Sequence, residues 1–334
     1  LTLEALALPA GAGVALSPYT FTSSAEILRY LDLNPVFVDI DPRTYQIDVE
    51  ALARTLATRP DVSAVMAIHI AGLPGAMEAL QETADHYGVP VIEDAAHCIP
   101  KGGSYAVPRG SSVAAVFSLY ATKPVAAGEG GVIVTDRDEI AGRARTMRLH
   151  GIDRDVWRRY TERKPSWMYD VVDAGYKYNL SDLHAAVARV QLESAESRRR
   201  RRAEIANRYH RAFADLEYLG RPQDHPAHDW HLYMITLTPG PDGEAQPRDR
   251  FIRETADEGV GTSVHYIPLH HFSYYAKRYG LAPEDFPEAT ARYHRSVSLP
   301  LYADLSNEAV ERIIGTVRRV AERVVRRTPR VAGE

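Results

Sequence analysis

The chain has 334 residues, 45% of them hydrophobic, which is enough for a sizeable core and, by the usual size of domains, for two domains. Its formal net charge of -4 gives no general attraction to nucleic acid or anionic membranes. It contains no apolar run long enough for a membrane span, and we expect no signal peptide. Cys98 is the only cysteine, which excludes an intrachain disulfide and a cysteine-rich metal site and leads us to expect a cytoplasmic protein.

Alternating strands and helices are predicted between residue 14 and about residue 150. Short apolar runs typical of buried strands occur at 36–39, 63–70, 89–93, 114–119 and 132–135. Segments of helical period lie between them, at 25–31, 49–56, 76–87 and 139–149. Because the strand runs lack polar alternation, they favour a mostly parallel sheet covered on both faces. Ligands bind such sheets at the carboxyl ends of the strands, so polar residues there are the first candidates for a site.

The second half of the chain begins with a long predicted helix and continues as a second α/β unit. Helical period runs over about 181–216, and the motifs HLYMITL and GVGTSVHY with a final helix at 307–326 make up that unit. We divide the chain into a large domain, 1–205, and a small C-terminal domain, 206–334. The five arginines at 198–202 favour a solvated helix face, because nothing else in the chain resembles a nucleic-acid footprint.

A lysine and an aspartate follow two strands of the predicted sheet. Asp94 closes VPVIED, and Lys123 lies in VFSLYATKPVAAGEGGVIVTD, between an apolar run and a glycine-rich turn. Each has an ordinary explanation: a helix cap or loop hydrogen bond for Asp94, and a surface or ion-paired position for Lys123. A buried amine and a buried carboxylate at one sheet edge also suit pyridoxal phosphate. A lysine forms a Schiff base with its aldehyde, while a carboxylate keeps its ring nitrogen protonated.

Six motifs occur in an order that points to one family. They are PYTFTSS, VIEDAAHC, FSLYATK, GEGGVIVTD, GYKYNLSDLHAA and GTSVHYIPLHH, within about residues 14 to 325. The chain resembles the DegT/StrS family of sugar aminotransferases, which are fold-type I pyridoxal phosphate enzymes. GYKYNLSDLHAA is most similar to the branch that aminates UDP-linked 4-keto sugars. The resemblance implies an α/β fold with a mostly parallel central sheet covered by helices, plus a smaller C-terminal α/β domain.

The resemblance assigns roles to residues that would surround the cofactor ring. Lys123 would form the Schiff base and, once released, move the proton between substrate and cofactor, while Asp94 would pair with the ring nitrogen. His97 would lie near the phenolic oxygen, or else be a histidine satisfied by backbone partners. Ala96 is small enough to let the ring lie against the backbone. Phe21 would stack on the opposite face of the ring unless it belongs to the core.

Two further residues are implied to bind the phosphate of the cofactor. Ser118 matches a position that supplies a hydroxyl, and Asn179 matches an asparagine that reaches across from a neighbouring subunit. The protein would then be a homodimer with active sites shared between its chains. The alternative for Asn179 is a turn or helix-capping role ahead of Ser181.

One departure from the family pattern concerns the start of the chain. The family supplies a Ser-Gly-Thr turn at a helix N-terminus, whose backbone amides hold the phosphate. Here the sequence opens with Leu1 in LTLEALAL, a stretch of helical character that would follow such a turn. Because it begins without methionine, we expect that an upstream segment is missing. The alternative is that the turn is absent and cofactor binding is weaker.

Residues of the later motifs are implied to line the substrate site: Tyr178, His265, Tyr266 and His270. The three histidines of HYIPLHH also suggest a metal site. Pro268 interrupts their spacing and no nearby acid completes a ligand set, so we expect no metal there.

The sequence therefore predicts a homodimeric aminotransferase that uses pyridoxal phosphate. It would move an amino group from an amino acid, by resemblance L-glutamate, to a nucleotide-linked keto sugar, at C4. The aromatic and basic loop at 157–178 would either bind the nucleotide or pack against the partner subunit. Two alternatives stay open: a cyclitol ketone or another sugar position as acceptor, and a catalytically silent sugar-binding homologue.

Overall fold

The fold is built on two β-sheets. A computed structural model describes residues 1–100, 110–153, 169–238 and 247–326. The larger sheet has the order β2-β1-β3-β4-β5-β6, and all neighbours pair in parallel except β6, which is antiparallel to β5. Its strands are β1 (Gly13–Leu16), β2 (Asn34–Phe37), β3 (Val62–Ile68), β4 (Val91–Asp94), β5 (Ser112–Ser118) and β6 (Gly131–Val134).

The smaller sheet is antiparallel and belongs to the C-terminal part of the chain. It has the order β7-β8-β9. Its strands are β7 (Leu219–Gly220), β8 (Tyr233–Leu237) and β9 (Ser296–Leu299).

Helices cover both sheets. Those of the larger sheet are α1 (Thr2–Ala5), α2 (Ser23–Tyr30), α3 (Val49–Thr58), α4 (Met77–Tyr87) and α5 (Asp138–Met147). They are followed by α6 (Asp182–Glu193), α7 (Ala195–Ala212), α8 (Pro247–Asp257), α9 (Ser273–Tyr279), α10 (Pro287–Arg295) and α11 (Asn307–Arg326). Within the parts of the chain described, none of these helices has the length and apolar character needed to span a bilayer.

Side-chain alternation along the strands gives the larger sheet two apolar faces. On β1, Val14 and Leu16 pack with Leu28 of α2, while Ala15 between them packs on the other side with Leu52 of α3. Both faces are therefore buried, as a parallel sheet requires. This arrangement leaves the carboxyl ends of the strands as the accessible edge.

The C-terminal part has its own core. On α11, Val310, Ile313, Val317 and Val320 recur at helical spacing and pack with strands β8 and β9. The proposed boundary near residue 205 falls inside α7, whose Ile205 already packs in this second core. The helix thus continues across the boundary that we draw between the two domains.

The C-terminal part also sends a segment back over the strand ends of the larger sheet. The N–H of Leu269 donates to the carbonyl of Pro18. The carboxylate of Asp39 accepts from the N–H groups of Glu288 and Ala289 at the start of α10, which places its negative charge at the positive end of that helix. These contacts fix the segment between them against the edge where ligands bind.

The prediction of an α/β fold with a mostly parallel sheet is confirmed, with differences in detail. The five predicted strands and four predicted helices of the first half are present, with shifted ends, but β1 was missed. The long helix predicted at 181–216 is interrupted at Ser194.

In the arginine run, Arg199 and Arg201 pair with acids on their own helix, whereas Arg202 is buried. The part of the aromatic loop at 154–168 lies outside the described residues.

Candidate active site

A cavity of about 790 Å³ opens at the carboxyl ends of β3, β4 and β5. The start of α2 and the segment around residue 265 complete its wall. Eight of the residues predicted from the sequence line it: Phe21, Asp94, Ala96, His97, Ser118, Lys123, His265 and Tyr266. A volume of this size is typical of pockets that enclose a cofactor and a small substrate.

Asp94, the last residue of β4, has both carboxylate oxygens held. Oδ2 accepts a hydrogen bond from the Ser24 hydroxyl at 2.8 Å, and Oδ1 accepts from the N–H of Ala96 at 3.1 Å. Ser24 is buried, and its oxygen lies 3.0 Å from that of Thr20. Because Ser24 gives its single hydrogen to the carboxylate, Thr20 is the donor in that second bond. The carboxylate is therefore fixed in orientation without a basic side chain among these contacts.

Lys123 lies in the turn that follows β5. Its backbone N–H donates to the carbonyl of Tyr120, and its side chain is partly buried in the cavity. Burial lowers the pKa of the Lys123 amine, and the charge of Asp94 opposes that shift only in part. The lowered pKa increases the uncharged fraction of the amine near neutral pH, and the uncharged amine is the nucleophilic form.

His97 is buried and bonded through both ring nitrogens. The N–H of Ala71 donates to Nδ1 at 3.0 Å, and Nε2 lies 2.8 Å from the hydroxyl oxygen of Tyr266. The ring of His231 packs against it with centroids 4.4 Å apart. Burial, with the nearby charges of His231 and Lys123, lowers the pKa of His97 well below its ordinary value. His97 is therefore neutral at physiological pH.

Two other predicted residues flank the cavity. Phe21 is 57% exposed at its mouth, with its ring 5.9 Å from that of Tyr266, so it is not part of the core. Ser118 ends β5, and its oxygen accepts from the N–H of Tyr120 at 3.2 Å. Because Oγ is the acceptor in that bond, the hydroxyl hydrogen of Ser118 stays available to a ligand.

Three predicted residues do not line the cavity. Tyr178 is exposed and stacks on Tyr176, with ring centroids 4.8 Å apart. Asn179 is exposed, and its side-chain oxygen accepts from the Lys177 amine. His270, which we expected at the substrate site, is buried away from the cavity because its ring bonds to Thr290. Among the described residues no group of acidic, histidine or cysteine side chains could hold a metal ion.

Sequence reasoning missed the residues that position the predicted ones. Ser24 is close to Phe21 in PYTFTSS, and its hydroxyl at the start of a helix after a strand was the available signal. His231 carried no such signal, because its contact to His97 depends on how the C-terminal part packs on the larger sheet. Ala71 carried none because it contributes only a backbone N–H.

Comparison with known proteins gives the family. The model of the DegT/DnrJ/EryC1/StrS aminotransferase family matches residues 1–318. The chain belongs to this family. It is a pyridoxal phosphate-dependent sugar aminotransferase, and the predictions of enzyme class and cofactor are confirmed.

Individual relatives agree over most of their length. The spore coat polysaccharide biosynthesis protein SpsC of Bacillus subtilis strain 168 is 38% identical, over 96% of this chain and 82% of SpsC. The aminotransferase TlmJ from Streptoalloteichus hindustanus superposes with a TM-score of 0.82 at 28% identity, over 97% of this chain and 82% of TlmJ. Spr1654 from Streptococcus pneumoniae, solved in its PLP form, superposes with a TM-score of 0.82 at 25% identity, over 96% and 84%.

The residues of the cavity fit this cofactor. A fixed carboxylate and a partly buried amine, which interact electrostatically, line one cavity, as required to reach both a ring nitrogen and an aldehyde. Phe21 offers an exposed aromatic face, and Ser118 offers a hydroxyl hydrogen. The sequence motifs and the geometry thus point to the same cofactor.

Replacing Ser24 by alanine tests how the carboxylate is held. Ser24→Ala removes the donor to Asp94 Oδ2, and a hydrogen bond to a charged group is strong enough that we expect the dissociation constant for pyridoxal phosphate to rise about tenfold. The matched control is Ser63→Ala, since the Ser63 hydroxyl bonds only to a backbone carbonyl near the start of β3. Unchanged affinity in Ser24→Ala, measured by absorbance titration, would show that Asp94 needs no side-chain donor.

Proposed function

We propose that this aminotransferase acts on a nucleotide-linked keto sugar, that it aminates C4, and that L-glutamate supplies the amino group. The assignment of catalytic activity rests on one observation: the fixed Asp94 and the partly buried Lys123 line the same cavity. A catalytically silent homologue would not need this pairing. The nucleotide-linked sugar and its C4 position are supported by the GYKYNLSDLHAA motif.

We assign the following work to residues of this chain. Bound pyridoxal phosphate supplies an aldehyde that carries the amino group and a ring that accepts electrons. Asp94 would keep the ring nitrogen protonated through the negative charge of its carboxylate, which Ser24 and Ala96 hold in orientation. Lys123 takes and returns the proton at the reacting carbon, for which its lowered pKa is suited.

The substrate side of the cavity is assigned to the C-terminal segment. His265 and Tyr266 line the cavity, and the ring of His265 is held by a 2.9 Å hydrogen bond between Nδ1 and the hydroxyl of Ser298. Because β9 carries Ser298, the smaller sheet orients this wall. Polar groups fixed in this way favour a sugar, whose hydroxyls they can bind, over an apolar molecule as the acceptor of the amino group.

Half-reactions test this function. We expect L-glutamate to convert the loaded protein to its amine form, seen by absorbance, and a UDP-linked 4-keto sugar to restore the starting spectrum. Lys123→Ala should lower transamination by at least about a thousandfold, because it removes both the covalent attachment and the proton carrier. Lys277→Ala, which changes an exposed lysine on α9, is the control.

Two results would contradict the proposal. Retained transamination in Lys123→Ala would remove Lys123 from the chemistry. Amination of cyclitol ketones, or of sugars at another carbon, without turnover of nucleotide-linked 4-keto sugars would leave an aminotransferase with a different acceptor.

We further propose that the protein is a homodimer with shared active sites. Helix α6 has no buried residue, yet it carries Leu183, Val187 and Val190 on one face, at exposures of 82%, 48% and 61%. An apolar helix face of this kind is normally covered by another element. A second copy of the chain is the occupant we propose, because the start of this helix adjoins the turn that lines the cavity.

The start of α6 packs against the turn that lines the cavity. A Cβ added at Gly130 would meet Leu180 at 2.6 Å, and one at Gly128 would lie 3.7 Å from the ring of His184. The exposed Asn179 stands beside these contacts. We propose that a partner that packs on α6 contributes its own Asn179 to the neighbouring site.

Light scattering tests the interface. Leu183→Glu combined with Val190→Glu should convert a dimer into a monomer, because two charges would be buried without partners. Tyr302→Glu, at an exposed position of the C-terminal part, should leave the dimer intact. A wild-type monomer, or a double variant that stays dimeric with unchanged stability, would contradict the assignment of this face.

Mixing inactive variants tests whether the sites are shared. In a heterodimer of Lys123→Ala and Asn179→Ala chains, one site receives Lys123 from one chain and Asn179 from the other. We expect the mixture, after denaturation and refolding together, to recover roughly a quarter of wild-type activity, because half the dimers are mixed and half their sites intact. Activity no higher than the average of the two variants would show that each chain builds its site alone.

A further inference from the structure

We propose that the hydroxyl of Tyr266 donates a hydrogen bond to the phenolic oxygen of the bound cofactor, and that the backbone of Ala71 fixes this direction through His97. The inference rests on the proposed function, because it concerns the same cavity. It makes Tyr266 the contact at the position where the sequence predicts His97.

The first step is the tautomer of His97. A backbone N–H can only donate, so the nitrogen that faces Ala71, Nδ1, must be the acceptor. A neutral imidazole has one N–H and one bare nitrogen, and the bare one is therefore Nδ1. The ring hydrogen of His97 is on Nε2.

The second step is the direction of the bond to Tyr266. Because Nε2 carries the hydrogen, it donates to the hydroxyl oxygen, and Tyr266 accepts. The hydrogen of Tyr266 is then left for another acceptor, and the side chain lines the cavity. Burial and the charge of Asp94 raise the pKa of Tyr266, so the hydroxyl keeps this hydrogen.

The third step is the rigidity of the Ala71 backbone, whose N–H determines the direction of the hydrogen bonds through His97 to Tyr266. Ala71 has φ of 58°, a left-handed conformation that a non-glycine residue adopts only when its surroundings hold it. Its carbonyl accepts from the N–H groups of His231 and Leu232, and the next carbonyl, that of Gly72, accepts from the N–H of Asp229. The segment before β8 therefore holds the turn from which the Ala71 N–H points at His97.

The rings of His97 and Tyr266 therefore have different roles. Both nitrogens of His97 are occupied, so His97 has no hydrogen to give to a ligand. Tyr266 has one, and its side chain lines the cavity that is also lined by Asp94 and Lys123. The phenolic oxygen of pyridoxal phosphate is anionic when bound, and a charge-assisted hydrogen bond to it is stronger than one to a neutral acceptor.

Cofactor affinity tests the contact. The probes are pyridoxal phosphate and its 3-deoxy analogue, which lacks only the phenolic oxygen. Tyr266→Phe should weaken binding of pyridoxal phosphate about tenfold and leave binding of the analogue unchanged. The matched control is Tyr275→Phe, because the Tyr275 hydroxyl bonds to Thr22 and does not line the cavity. An equal effect of Tyr266→Phe on both probes, or on neither, would overturn the proposal.

Nitrogen NMR of the unliganded protein tests the tautomer. In protein labelled with 15N-histidine, with His97→Gln used for assignment, we expect the ring signals of a neutral imidazole protonated on Nε2. Protonation on Nδ1, or an imidazolium, would overturn the bond direction. If wild type binds no pyridoxal phosphate, the proposed function fails and this inference with it. Normal wild-type binding without the selective loss in Tyr266→Phe contradicts only the role of Tyr266.

Discussion

The active site depends on a carboxylate and an amine that line one cavity without forming a direct ion pair. Asp94 is held by the hydroxyl of Ser24 and the N–H of Ala96, both neutral donors. These bonds fix its orientation and leave its charge for a ligand. Lys123 is desolvated by the same cavity, which lowers the pKa of its amine. A site arranged in this way is ready for a cationic ring between the two groups.

The fold explains why these groups meet. In a parallel sheet the carboxyl ends of neighbouring strands lie at one edge, and β4 and β5 deliver Asp94 and the turn containing Lys123 to that edge. The C-terminal part then adds the wall formed by His265 and Tyr266. Its attachments at Pro18 and Asp39 hold that wall in place. The larger sheet therefore supplies Asp94 and Lys123, and the smaller sheet orients His265, which we assign to the substrate.

The sequence was sufficient for the parts that depend on local pattern. Apolar runs predicted five of the six strands of the larger sheet, and residues at or just past strand ends gave Asp94 and Lys123 before any contact was known. Contacts between distant segments were beyond such reasoning. The hydroxyl of Ser24 reaches an acid 70 positions later, and His97 meets Tyr266 across 169 positions. Neither pair has a periodicity or spacing that marks it, because tertiary packing alone brings the partners together.

The same limit applies to His270, which we expected at the substrate site and which does not line the cavity. The HYIPLHH motif groups its histidines in sequence, but the short turn at Leu269–His271 directs His270 to Thr290 and away from the cavity. Only the residues before Pro268 reach the site.

Chemical trapping tests the central claim most directly. Protein loaded with pyridoxal phosphate would be reduced with borohydride, digested, and its modified peptides identified by mass spectrometry. The account predicts one modified residue, Lys123, in wild type and none in Lys123→Ala. Modification of a different lysine in wild type, or none at all, would contradict the assignment of Lys123 as the residue that holds the cofactor.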